Sequence, residues 1–310
     1  SSPSPIDNLS IGTRMHQFAQ KLWPINRSLT GSGNRETLSL IANQLQNFKI
    51  KSIKSGTPVF DWSVPKEWRC DSAYIICPDG NKICDFHINN LYLVGYSIPF
   101  QGILDLDTLK QHIYTLPQQE DAIPYITSYY NPIWGFCMKH KDYQQLKPGN
   151  YQVHINSHLF NGQLDYGELI IKGRSKDEIF LSTYICHPSM ANNELSGPTV
   201  LTFIAKYLQS LGDLNYTYRI IYIPETIGSI AYLSKNYKKM KRRIFAGFNI
   251  TCIGDDRCYS YVPSRNGNTL SDKIGLHVLK WTDNNFKRYS WLDRGSDERQ
   301  YCSPHMDLPI

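Results

Sequence analysis

Ile179-Phe180-Leu181-Ser182-Thr183-Tyr184-Ile185-Cys186-His187-Pro188-Ser189-Met190-Ala191-Asn192-Asn193-Glu194-Leu195-Ser196-Gly197-Pro198 is the stretch from which the fold can be read. Its first seven residues are a strongly apolar run that reads as a buried strand. Beyond it, Val200, Leu201, Ile204, Ala205 and Leu208 recur at helical spacing, and Pro198 suits a first helical turn. A strand that ends in a histidine, a polar loop and a new helix place side chains at the carboxyl end of a sheet. Open α/β folds hold their ligands there.

The pattern repeats downstream. Strand-like Tyr216–Ile223 precedes a helix from about Gly228, and strand-like Ile244–Ile253 precedes the helical stretch Leu270–Leu279. Alternation of this kind implies an α/β fold with a largely parallel sheet and right-handed crossovers. Upstream, Met15, Phe18, Ala19 and Leu22 form one apolar helical stripe, and Leu38, Ile41, Ala42 and Leu45 form another. The loop between them, Pro24 to Arg35, is rich in Gly and Ser and feeds a helix N-terminus. It is either a structural turn or a substrate loop, and it lacks the Gly-Lys-Ser/Thr ending of a phosphate-binding P-loop. Between 61 and 155 the texture changes to short apolar runs broken by turn signals, for example Ala73–Ile76, Pro78-Asp79-Gly80 and Leu91–Val94. The expected organisation is a core of residues 1–60 and 156–310 carrying an inserted, β-rich subdomain over 61–155.

Composition narrows the function classes. A chain of 310 residues with 41% hydrophobic and 13% aromatic residues is long and apolar enough for a large core, which excludes disorder. No run approaches a membrane span and no secretion signal opens the chain, so a cytoplasmic protein without a membrane partner is expected. The start, Ser1-Ser2-Pro3-Ser4-Pro5, reads as a processed or appended end. The eight cysteines include no Cys-x-x-Cys pair and read as buried free thiols. A net charge of +6 is mild. Much of it lies in Lys235, Lys238, Lys239, Lys241, Arg242 and Arg243, where cations near a helix C-terminus are favourable, so no nucleic-acid partner is expected.

All three core strands end in polar chemistry: His187, then Glu225 after Pro224, then Asp255-Asp256 after Gly254. Parallel strands present these ends on one edge, where an imidazole and carboxylates can bind zinc and activate water. Each residue also has a plainer reading. A strand-end His can be a hydrogen-bonded structural group, and Asp255 and Asp256 can simply cap a turn. Glu225 stands among apolar residues, where a carboxylate is costly to bury unless paired or metal-bound.

Cys186-His187-Pro188-Ser189-Met190-Ala191-Asn192, Leu195-Ser196-Gly197-Pro198, Pro224-Glu225-Thr226-Ile227-Gly228-Ser229 and Arg294-Gly295-Ser296-Asp297-Glu298-Arg299-Gln300-Tyr301 together resemble one family. It is the bacterial aminopeptidase-like group of unknown function associated with surface polysaccharide biosynthesis. Pro24-Ile25-Asn26-Arg27-Ser28, Phe60-Asp61-Trp62 and Ser128-Tyr129-Tyr130 extend the resemblance to nearly the whole chain. The resemblance implies a zinc-exopeptidase-like three-layer α/β core with an inserted small domain. It also implies His187 as a zinc ligand, with Asn193 at a ligand position of the family, and Glu225 in the catalytic-base region; Asp255 and Asp256 stay candidate ligands from their strand end alone. Arg27, Arg294, Asp297, Glu298 and Arg299 become candidate substrate contacts or members of a buried ion network.

Three departures from the family pattern stand out. Asn193 replaces a usual aspartate, with Glu194 one residue away. Thr226 stands where related aminopeptidases carry a second, metal-binding glutamate. The sequence also ends at Asp307-Leu308-Pro309-Ile310, before the family's last ligand motif and winged-helix-like segment, so it is expected to be either a fragment or a chain that has lost a ligand, with His305 a candidate substitute. Two functions are therefore expected: a zinc-dependent amide hydrolase acting on a peptide N-terminus or an N-acylated small molecule, or a catalytically degenerate binding or scaffold protein of polysaccharide biosynthesis.

Overall fold

The computed structural model describes residues 10–310 except Tyr130 and Arg294. The chain divides into two compact units, one of residues 10–65 with Gln163–Ile310 and one of Lys66–Gly162. In chain order the elements used below are α1 (Ile11–Leu22), α2 (Ser32–Ala42), β1 (Lys49–Lys54), β2 (Glu67–Ile76), β3 (Lys82–Ile83), β4 (Phe100–Asp105), β5 (Asn150–Phe160), β6 (Gln163–Ile171), β7 (Glu178–Tyr184), α3 (Ser196–Leu211), β8 (Thr217–Ile223), α4 (Ile227–Arg243), β9 (Ile244–Asn249), α5 (Leu270–Thr282) and α6 (Glu298–Tyr301).

The larger unit is built on a five-stranded sheet of order β1-β6-β8-β7-β9. β7 runs parallel to both β8 and β9, whereas β6 is antiparallel to β8 and to β1. The sheet is mostly parallel as expected, since β1, β8, β7 and β9 share one direction and β6 alone runs against them. The physical reason for the reversal is chain length: only residues 172–177 separate β6 from β7, too few for the crossover that a parallel connection needs. Helices cover both faces, so β7 and β8 are buried along nearly their whole length. On one face Phe18 and Leu22 of α1, Leu38 and Ile41 of α2, and Leu201 and Leu208 of α3 pack with Leu169, Leu181, Ile220 and Tyr222 from the sheet. On the other, Tyr301 of α6 meets Phe180 edge-on and bonds Ser182 Oγ at 2.8 Å.

That second face holds a buried charge network. Arg219 on β8 donates to both oxygens of Glu178 on β7, at 2.6 and 3.0 Å, and to Tyr232 of α4 at 2.7 Å. Tyr232 in turn donates to Glu168 on β6 at 2.6 Å, and Glu168 also takes Lys51 at 2.7 Å. The network ties four strands and one helix together where a purely apolar packing would be indifferent to register.

The smaller unit is β-rich, with an antiparallel sheet of order β3-β2-β5-β4. Its boundaries lie at 66 and 162 rather than 61 and 155, because β5 continues to Phe160, which pairs with Glu67 at the start of β2.

Arg219→Ala leaves Glu178, 1% exposed, without its bidentate partner. Urea unfolding should show a loss of about 3–5 kcal/mol, the cost of stranding a buried charge.

Candidate functional site

The parallel register brings two strand ends level. Tyr184 pairs with Ile223, and Ile185 N–H donates to Ile223 O at 3.0 Å, so Cys186-His187 and Pro224-Glu225 leave the sheet side by side. The loop after His187 is held at several points. Arg27 Nε donates to His187 O at 3.1 Å, and Ser189 Oγ donates to Trp23 O at 3.0 Å. A π-helical turn, Ala191–Leu195, then leads into α3. Such widened turns recur at functional sites. Gly197 is required at the start of α3, since a Cβ there would stand 2.4 Å from Thr183 Oγ1 and 2.5 Å from Ile250 O.

The π-helical turn swings Glu194 inward. Its Oε1 accepts His187 N–H at 2.7 Å, and its Oε2 is buried with no hydrogen-bond partner. One donor atom each from Cys186, His187 and Glu194 lie within 4.8 Å of one another, and this is the one such group of metal-binding type among the described residues. The Cys186 sulfur lies 3.6 and 3.7 Å from the two ring nitrogens of His187. Burial lowers the His187 pKa to about 4, with the Arg27 charge adding to the effect, so the ring is neutral near pH 7. Burial also raises Glu194 and Cys186 well above their ordinary values, and Arg27 opposes the shift at Glu194. Thiolate, neutral imidazole and carboxylate are the usual zinc donors, and a buried carboxylate oxygen without a partner is open to a further bond. The donor set therefore fits a zinc ion. Arg27 is the opposing element, for it is 1% exposed and already places a positive charge against the cluster.

Glu225 stands beside this group and raises the Cys186 and Glu194 pKa values through its charge. Burial raises its own pKa, and a hydrogen bond from Ser296 Oγ to Oε2 at 3.1 Å works against that.

The other residues singled out from the sequence have different fates. Asn193 does not turn inward; its Oδ1 accepts Tyr184 OH at 3.3 Å, and Glu194 takes the inward place because of the widened turn. Asp255 and Asp256 do not join the cluster. The backbone N–H groups of Ile253 and Gly254 are tied to Ser196 Oγ and Asn192 Oδ1, and Asp255 folds onto Arg257, with Nε 2.9 Å from both carboxylate oxygens. His305 is exposed and outside the cluster.

Four of the candidate substrate contacts make hydrogen bonds within the chain. Arg27 donates to Leu22 O at 2.6 Å and to His187 O, while its Nη2 is buried without a hydrogen-bond partner. Asp297 is fully buried, accepting Thr226 N–H and Ser229 Oγ. Glu298 accepts Ser296 N–H at 2.7 Å and Asn249 Nδ2 at 2.8 Å. Arg299 donates to Trp291 O and Leu292 O and lies over the Trp291 ring. Arg294 lies outside the described residues. Cys186 looks like any buried thiol in the sequence, and the signal that sets it apart is its place beside a strand-end histidine. A cleft of about 690 Å³ lined by Arg265, Arg288, Tyr289 and Trp291 shares no side chain with the cluster.

Residues 16–310 match a family described as a domain of unknown function, DUF4910. The chain belongs to this family. A Clostridium acetobutylicum relative, 42% identical over 96% of this chain and 68% of its own length, carries the name of a polysaccharide biosynthesis protein with an aminopeptidase-like domain. A crystal structure of a C. acetobutylicum protein described as a peptidase is also 42% identical, with a TM-score of 0.92 over 96% of this chain and 70% of that one. At 12% identity, a zinc aminopeptidase from Bacillus subtilis (TM-score 0.61; 89% and 77% covered) and a peptidase M28 precursor from Shewanella amazonensis (0.62; 96% and 86%) share the fold. This DUF4910 chain therefore has a zinc-exopeptidase-like α/β fold. No helix among its described residues is long and apolar enough to cross a membrane.

Burial raises the Asp297 carboxyl pKa to about 8 against an ordinary value near 3.8. The native state holds the extra proton between these values, so this group favours folding fully below about pH 4 and loses that contribution as pH rises through about 8. Asp297→Asn removes the titration. Denaturant unfolding from pH 5 to 8 should show wild type losing stability relative to this variant as pH rises.

Proposed function

We propose that this protein is a metal-dependent amide hydrolase acting on a peptide N-terminus or an N-acylated small molecule. The observation that carries the reading is the convergence of Cys186, His187 and Glu194 within 4.8 Å at the same sheet edge as Glu225. A zinc ion held by these three side chains would supply Lewis-acid polarisation of the amide carbonyl.

The chain's own groups supply the proton transfers. Glu225 is half-buried with Oε2 held by Ser296, which leaves Oε1 to take the proton of an attacking water. Burial raises the Glu225 pKa toward neutral pH, which makes the carboxylate a stronger base than one in water and keeps the proton long enough to be handed to the departing amine. The neutral His187 ring does not compete for that proton near pH 7. An N-acylated sugar intermediate suits the name of the C. acetobutylicum relative; a peptide N-terminus suits the fold.

A second reading is favoured by one observation: Arg27 already offsets the Glu194 charge from within the protein. On that reading the chain is a binding or scaffold protein that keeps the fold without the reaction. Zinc analysis of purified protein, combined with amine release from a panel of peptides and N-acylated sugars, separates the two. The hydrolase reading expects Glu225→Gln to keep its zinc while losing about 10²–10⁴-fold in rate, and His187→Ala to lose the zinc. A wild-type protein that binds no zinc and releases no amine establishes the binding role instead.

A further inference from the structure

Asp297 has no access to solvent, yet it grips the backbone next to Glu225 at 2.7 Å. Between the end of β8 and the start of α4 the backbone turns through Thr226, whose φ of +64° and ψ of −72° are the values of a strained three-residue turn. Ile227 N–H closes that turn on Glu225 O at 2.8 Å. A β-branched residue seldom takes positive φ, and such a conformation persists only where its surroundings impose it. Here the surroundings are identifiable. Asp297 Oδ1 accepts Thr226 N–H at 2.7 Å and Ser229 Oγ at 2.8 Å, and Ser229 Oγ is also 2.9 Å from Thr226 O. Gly228 lets α4 start hard against the strand, since a Cβ there would stand 2.6 Å from Ile223 Cγ1.

The residue beside Asp297 completes the arrangement. Ser296 Oγ holds the Glu225 carboxylate, so two consecutive residues grip two consecutive residues, 296 on the side chain of 225 and 297 on the backbone of 226. Glu298 then fixes this loop by taking Ser296 N–H and Asn249 Nδ2 at the end of β9.

We propose that Asp297 is the positioning residue for Glu225, acting without touching substrate by holding the positive-φ turn at Thr226 so that the Glu225 carboxylate meets Ser296. The inference rests on the reading of Glu225 as the base, while its structural half stands independently of that reading. It needs one acceptor oxygen and no negative charge, because Asp297 Oδ2 has no hydrogen-bond partner. Asparagine can therefore replace the aspartate. Glycine at 226, which takes positive φ without steric cost, should make the clamp dispensable.

The test compares the wild type with Asp297→Ala, Asp297→Asn and the double variant Asp297→Ala/Thr226→Gly, by crystal structure and by kcat and KM for amine release. In Asp297→Ala the turn should relax to negative φ and Glu225 should leave Ser296, with kcat falling about a hundredfold, the scale of a misplaced catalytic group, while KM stays within about twofold. Asp297→Asn should keep the turn and most of kcat, and the double variant should recover both. An unchanged turn in Asp297→Ala, or an equal kcat loss in the Asn and Ala variants, overturns the proposal. If Asp297→Ala does not fold, the Asn variant decides: loss of the turn or of kcat there overturns it. If wild type itself releases no amine, the hydrolase reading fails, and the Thr226 turn in the variant structures alone decides the positioning role.

Discussion

Seven consecutive parallel pairings between β7 and β8, from Glu178 against Thr217 to Tyr184 against Ile223, are the constraint on which the rest depends. They decide that Cys186-His187 and Glu225 leave the sheet at one level. A slip of one residue would send every side chain of one strand to the opposite face. The buried network enforces the register, because Arg219 reaches both oxygens of Glu178 only at this setting. Any slip would leave charges of both signs unpaired in the interior, at several kcal/mol. Structural and chemical demands are thus met at opposite ends of the same strand pair: charge pairing near Glu178, polar side chains beyond Tyr184.

At the site itself burial is the dominant force. It holds His187 neutral and drives Glu194, Cys186 and Glu225 toward their protonated forms. Metal ligation requires the opposite state of the thiol and carboxylate, so binding an ion and displacing protons are one event at such a cluster. Arg27, anchored by Leu22 O and His187 O, acts in both directions: its charge favours the ionised Glu194 carboxylate and repels an incoming cation. The loop 296–298 acts from the other side, on the geometry of Glu225 and not on its environment alone.

Much of the architecture was legible in the sequence. The apolar runs that end in His187 and Glu225 follow from strands buried on both faces, and the helices after them follow from apolar spacing. The reversal of β6 alone was not legible, because hydrophobic pattern does not encode strand direction; the short link 172–177 before β7 held a clue. The candidate site was half legible. His187 and Glu225 are placed by strand ends, which pattern reveals. Glu194 depends on a widened turn whose backbone hydrogen bonding leaves no composition signal, and that turn is why Glu194 rather than Asn193, the residue at the family's aspartate position, faces the cluster. Asp255 illustrates a second limit: an arginine two residues away captures it locally, a contact that spacing alone does not rank above ligation. Arg27, Asp297, Glu298 and Arg299 make hydrogen bonds within the chain that a motif alone does not reveal.

The most direct measurement is anomalous diffraction at the zinc edge from crystals of the full chain grown with zinc. The account predicts about one strong peak per chain within the usual zinc–ligand distances, about 2.0–2.3 Å, of Cys186 Sγ, a His187 ring nitrogen and a Glu194 carboxylate oxygen. A peak at Asp255 and Asp256 instead, or no peak at the cluster, would contradict it.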